Sequence, residues 1–145
     1  MRRIVPLVIA LSVSSLSARS ASAQVEFRPA PNALGPFSEA VRVGNLLYLS
    51  GMLGIDSTGK IVPGGIKAET KQALELIKAA LKRNGLDMDR VVKCTVFLAD
   101  IAEWPAMNEV YVTYFPVNKP ARSAFGGVQL VRGGRLELEC IAAMR

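Results

Sequence analysis

The chain has 145 residues, 50% hydrophobic and 21% charged, with a net charge of +6 and no histidine. That length suits one compact domain. The absence of histidine removes imidazole acid–base and zinc chemistry, and Cys94 and Cys140 form no CxxC motif, so no metal site is expected.

Met1-Arg2-Arg3 is a short positive start, Ile4 to Val13 is an apolar run, and small residues lead to Ala21-Ser22-Ala23. This three-part layout predicts a signal peptide over residues 1–23, cleaved after Ala23, and hence export to the periplasm or medium with no membrane anchor afterwards. The apolar run falls short of the about 20 residues that span a bilayer core of ~30 Å. Arg2, Arg3 and Arg19 lie in the leader with no acidic residue, so half of the net charge belongs to it. Residues 24–145 then form a single domain without a Lys/Arg block, which argues against nucleic acid as a partner.

Gln24 to Pro36, with Pro29, Pro31 and Pro36, reads as an extended arm. Ala40–Val43 and Leu46–Ser50 are β-prone runs joined by Gly44-Asn45, a two-residue hairpin signal. Gly51 to Gly65 reads as a loop. In 66–84, Ile66, Thr70, Leu74, Ile77 and Leu81 recur on one face of a helix, with Glu69, Lys71, Lys78, Lys82 and Arg83 on solvated faces and Gly85 as the C-terminal stop. Val91–Leu98 is a strand by its β-branched content. Asp100 caps a second helix over 101–115, with Pro105 in its first turn and Met107, Val110, Tyr111 and Tyr114 as a core stripe. Ala121–Val128 and Leu136–Ala142 are the last strands.

The order β-β-α-β-α-β-β predicts an α+β layer with two helices on one face of a mixed sheet. In the last strand Leu136, Leu138, Cys140 and Ala142 should face the helices. Glu137, Glu139 and Ile141 should face away, on a surface that a homo-oligomer would cover. The two cysteines read first as small buried hydrophobes, while an oxidising compartment would also permit a disulfide. By spacing alone Arg122 is a rim charge, Glu139 an outward strand residue and Glu137 structural, with Tyr48, Trp104 and Tyr111 as packing residues.

Six segments in order resemble the reactive-intermediate deaminase (RidA, or YjgF) family: Gly35-Pro36-Phe37-Ser38-Glu39-Ala40, Tyr48-Leu49-Ser50-Gly51, Val92–Leu98, Met107-Asn108-Glu109-Val110-Tyr111, Pro120-Ala121-Arg122-Ser123 and Leu138-Glu139-Cys140-Ile141-Ala142. The likeness runs over about residues 33–143. It implies a chorismate-mutase-like fold, assembled as a homotrimer around a central barrel with sites in the clefts between subunits. The activity it implies is cofactor-free hydrolysis of 2-imino acids, or their enamine tautomers, to 2-keto acids and ammonia. Carried over by motif, Arg122 is the substrate-binding arginine and Glu139 the water-positioning glutamate. Ala124 lends main-chain contacts, Ser50 and Gly51 form the pocket wall, and Asn108 is a motif asparagine. Phe37 stands where a tyrosine is usual and supplies a ring without the hydroxyl, and Met52 replaces a frequent glutamine.

These residue types suit the chemistry. A guanidinium fork binds a carboxylate bidentately, and a glutamate can orient and deprotonate a water. Two other functions compete. One is a non-catalytic trimer that binds small carboxylates or partner proteins in the same clefts, a reading that Phe37 and the leader favour. The other is a ribonuclease, which lacks both a histidine and a basic stripe to support it.

Overall fold

The computed structural model describes residues 23–31 and 35–144, so the expected leader lies, apart from Ala23, outside the described residues. The elements in chain order are β1 (Val25–Pro29), β2 (Ser38–Val43), β3 (Leu46–Leu49), β4 (Met52–Leu53), α1 (Gly65–Arg83), β5 (Val91–Leu98), α2 (Trp104–Tyr111), β6 (Ala121–Phe125) and β7 (Leu136–Ala143). Short 3-10 turns at Ile101–Glu103 and Val112–Tyr114 extend α2 at both ends, which together cover the expected second helix.

One sheet holds every strand in the order β1-β2-β3-β7-β5-β6, with the short β4 pairing β7 beyond β3. β5 and β6 run parallel, and α2 supplies the crossover that parallel neighbours require. The hairpin forms where expected, with Gly44 at φ 57°, a value that glycine adopts without Cβ strain.

Two strands depart from the sequence reading. The first half of the expected arm is β1, antiparallel to β2. Val25 and Phe27 alternate there with Glu26 and Arg28, and Arg42 Nη1 donates to Glu26 Oε1 across the pair at 3.3 Å. The nearby prolines hide this period-two pattern. Met52–Leu53, read as loop, pairs with Leu138 and Glu137 as β4. Two residues are too few to show a period.

The core lies between the helices and one sheet face. α1 buries Ile66, Thr70, Ala73, Leu74, Ile77, Ala80 and Leu81, and β7 buries Leu136, Leu138, Cys140 and Ala142 against them. The alternation read in the last strand is therefore the one that folds. Glu69 departs from the expected solvated face of α1: it is buried, and its Oε2 accepts the Arg135 backbone N–H at 2.8 Å. Glu39 is buried as well and takes a two-pronged ion pair from Arg83. Both buried acids thus keep partners, as burial of charge demands.

Cys94 and Cys140 are disulfide-bonded and not the two free buried thiols of the first reading. They are direct register partners across β5 and β7, with Cα atoms 4.1 Å apart, a relation that sequence separation does not reveal.

The cross-link closes a loop across 46 residues of sequence, for which chain entropy suggests about 2–4 kcal/mol of stabilisation. Denaturant melts at matched protein concentration, with and without reductant, should differ by that amount. Coincident midpoints, with thiol titration showing reduction complete, would refute it.

Candidate functional site

Arg122 is the register partner of Cys94, whose side chain lies in the core between sheet and helices. Paired residues share a face, so Arg122 stands on the helix side of β6, the last strand of the sheet. α2 meets it there. Trp104, Asn108 and Tyr111 are spaced by four and three residues, which aligns them on one helical face.

Arg122 Nη1 donates to Asn108 Oδ1 at 2.8 Å. The guanidinium carbon lies 4.6 Å from the Tyr111 ring centroid and 5.4 Å from that of Trp104. Two aromatic faces and one amide therefore hold the cation. Its other N–H groups have no partner among the described residues and can receive a carboxylate as a fork. Tyr111 is 4% exposed and its hydroxyl is unpartnered among the described residues. Burial pushes that phenol up to about 12, against the opposing pull of the Arg122 charge, so it stays neutral. Ala124, two residues beyond Arg122 on the same strand, packs against the core.

By sequence alone Trp104 and Tyr111 read as packing residues. They do pack, yet their contact with Arg122 makes them part of its mounting. The signal was present in the Trp104-Asn108-Tyr111 spacing, but the Met107–Tyr111 apolar stripe overshadowed it.

Glu139 occupies a different place. It pairs with Thr95 and is exposed on the sheet face turned away from the helices. Tyr48, Lys93, Thr95 and Ile141 surround it in a dimple of about 90 Å³. Lys93 Nζ donates to Ser123 Oγ at 2.8 Å on this face.

Near the other end of the same row lies the Ser50–Gly51 wall. Ser50 Oγ donates to the Ser38 carbonyl at 2.6 Å and Ser50 N–H to that of Glu39 at 2.9 Å. These bonds hold Gly51 against Glu137, where a Cβ would stand 1.8 Å from Glu137 Oε1. A side chain at position 51 would push the Glu137 carboxyl aside. Burial raises the Glu137 pKa, and the neighbouring Glu139 charge raises it further. Phe37, next to Ser38, is 58% exposed.

The expected residues therefore form two groups. Asn108, Arg122 and Ala124 gather on the helix side of the sheet edge. Glu139 lies on the opposite face, and the Ser50–Gly51 wall abuts Glu137 on the same strand. β5 separates β6 from β7, and the sheet stands between the Arg122 guanidinium and the Glu139 carboxylate. A single protomer does not bring them into one crevice.

The sequence pattern of the family described as endoribonuclease L-PSP matches residues 27–144. The chain is 48% identical over 114 residues to a mouse (Mus musculus) 2-iminobutanoate/2-iminopropanoate deaminase, covering 78% of this chain and 84% of that protein. It is 41% identical over 140 residues to the chloroplastic Reactive Intermediate Deaminase A of Arabidopsis thaliana, covering 96% of this chain and 74% of that one. Among solved structures, RidA from a Psychrobacter species is 38% identical with a TM-score of 0.73, covering 85% of this chain and 98% of that one. Escherichia coli TdcF with bound serine is 31% identical with a TM-score of 0.74, covering 83% of this chain and 98% of that one.

If the mounting of Arg122 matters for carboxylate recognition, Asn108→Ala should weaken binding of a small 2-keto acid by up to about 1.5–3 kcal/mol, the range for one hydrogen bond to a charged group. Trp104→Ala should weaken it by about 0.5–1 kcal/mol, the range for an exposed cation–π contact. Calorimetric titration measures both, and unchanged affinity in both variants would show the mounting to be irrelevant.

Proposed function

Because the chain belongs to the endoribonuclease L-PSP family, we propose that it hydrolyses reactive 2-imino acids and their enamine tautomers to 2-keto acids and ammonia. The reaction takes place in clefts between the subunits of a homotrimer. The observation that carries this reading is the open, aromatic-mounted Arg122 fork. The deaminase names of relatives such as the mouse protein support the reaction class.

In the proposed mechanism Arg122 binds the substrate carboxylate, and the Ala124 main chain contacts the imino nitrogen. Glu139 orients a water at the C=N carbon, takes its proton as the new C–O bond forms and returns that proton to the nitrogen. The resulting carbinolamine passes its hydroxyl proton through Glu139 to the nitrogen, the carbonyl forms, and the C–N bond breaks with its electron pair on the departing ammonia. An imine carbon is already electrophilic, so positioning and proton transfer account for most of what the protein supplies, typically ~10²–10⁴-fold for a placed acid–base group. Phe37 gives an apolar wall, and Ser50 and Gly51 bound the pocket.

Opposite placement of Arg122 and Glu139 supports a site completed by a second copy. In a closed ring each protomer offers its helix-side edge to one neighbour and its outer sheet face to another. The exposed row of Tyr48, Glu139 and Ile141 is the surface such a neighbour would cover.

Export is proposed on the leader together with the disulfide, since disulfides persist chiefly in oxidising compartments. A non-catalytic carboxylate-binding trimer is the second reading, and the missing hydroxyl at Phe37 is the observation that favours it.

The decisive assay follows decay of 2-iminobutanoate generated in situ from threonine by a dehydratase. Wild type should accelerate it, and Arg122→Ala should lose about 10²-fold or more in kcat/KM. No acceleration by wild type, with 2-keto acids still raising its Tm, would instead establish the binding module. Shared sites have a further signature: Arg122→Ala and Glu139→Ala, each inactive alone, should recover about a quarter of wild-type activity when co-assembled from equal amounts, as random closed-ring mixing requires. No recovery in verified mixed oligomers would place the whole site within one protomer.

A further inference from the structure

We propose that Gln24 is a modification site: once the leader is removed, it closes into a pyroglutamyl ring that shields the edge strand β1 from stepwise digestion. The inference rests on the leader reading, with cleavage after Ala23, and is independent of the deaminase reading.

Cleavage there leaves Gln24 with a free α-amine. The reaction that follows needs no second molecule. The amine nitrogen attacks the carbonyl carbon of its own side-chain amide, and the new C–N bond closes a lactam. The old amide C–N bond breaks with its electron pair on nitrogen, which takes a proton from the attacking amine and leaves as ammonia. No oxidant, reductant or water is consumed. The chain loses its terminal positive charge.

The fold holds position 24 in a way that suits this closure. Gly44 N–H donates to the Gln24 carbonyl at 3.1 Å, and Val25 pairs with Val43 in the next step of the ladder. The residue is thus anchored on its C-terminal side. Gln24 is exposed, and its side-chain amide has no hydrogen-bond partner among the described residues. Both reacting groups therefore remain free while the backbone beyond them is fixed.

Charge on the same face points the same way. Gln24, Glu26 and Arg28 alternate onto one face of the strand, and Arg42 is the register partner of Glu26. Glu26 Oε2 accepts from Arg28, and its Oε1 accepts from Arg42 Nη1 at 3.3 Å. Arg42 Nε also donates to the Gly44 carbonyl at 2.9 Å, so its head lies beside the residue that holds Gln24. Two guanidiniums share one carboxylate, and both of its oxygens are taken. An ammonium at position 24 adds a third cation with no part of Glu26 left to pair it. Neighbouring cations favour the neutral amine, which is the form that attacks. Ring closure then removes the charge.

The shield has something to protect. β1 is the last strand on its side of the sheet, and Val25 and Phe27 are exposed. Digestion from a free amine would remove Glu26 and leave Arg42 without its carboxylate. Aminopeptidases bind the free amine, and a lactam offers none.

The test expresses the full chain, leader included, in a host that exports it. Intact mass and N-terminal sequencing are then measured on the recovered protein. The mass should be that of residues 24–145 less one ammonia. Sequencing should be blocked, and pyroglutamyl aminopeptidase should open it at Val25. Free Gln24 in the first cycle overturns the ring and leaves the leader reading standing. Any other first residue, Met1 included, overturns both. Wild type and Gln24→Ala are then exposed to a broad-specificity aminopeptidase. Wild type should keep its mass while the variant is shortened stepwise, and the same outcome in both overturns the shielding role.

Discussion

The pairing of β5 with β7 is the constraint from which the rest of the molecule follows. It fixes the centre of the sheet, and the Cys94–Cys140 bond locks its register covalently. Once that register is set, every second residue of β7 must enter the core and every other one must leave it. Leu136, Leu138, Cys140 and Ala142 take the first fate. Glu137, Glu139 and Ile141 take the second. A slip by one residue would bury two carboxylates and expose the core, so hydrophobic burial on one face dictates the chemistry available on the other.

The same constraint places Arg122. Because β6 joins β5 in parallel, Arg122 shares the face of Cys94 and meets α2, the crossover that the parallel pairing demands. Trp104, Asn108 and Tyr111 are thus brought to the guanidinium by topology and not by sequence proximity. The outcome is a cation held on a helix-facing edge and carboxylates on an outward face, with the sheet as partition. For a small substrate that needs both, the partition is a physical reason to assemble.

Most of this was legible in the chain. Alternation in Leu136–Ala142 gave the two faces of β7, the apolar period gave α1, and Gly44-Asn45 gave the hairpin. Features that depend on what lies opposite were not legible. β1 was obscured by Pro29, Pro31 and Pro36, whose usual meaning is an unpaired arm. Glu69 has an acidic side chain that normally points to solvent, and the Arg135 N–H and guanidinium across the fold explain its burial. The pairing of Cys94 with Cys140 and the mounting of Arg122 on α2 are likewise relations between elements distant in sequence. The motifs that carry the family resemblance named Arg122 and Glu139, and alternation put Glu139 on its face, but the face of Arg122 came from register.

The disulfide also bears on how two groups on opposite faces of one sheet can be held in a precise relation. Cys94 is the register partner of Arg122, and Cys140 directly follows Glu139 in the chain. The covalent link therefore ties the strand beside the cation to the strand that carries Glu139. In a ring, an error in the relative position of these two faces within one protomer appears at both of its interfaces. A cross-link at that point resists such errors where hydrogen bonds alone would yield, and it does so from the core on the helix side, leaving the outer face free. Chemistry that depends on placement within about 0.5 Å benefits from such rigid support.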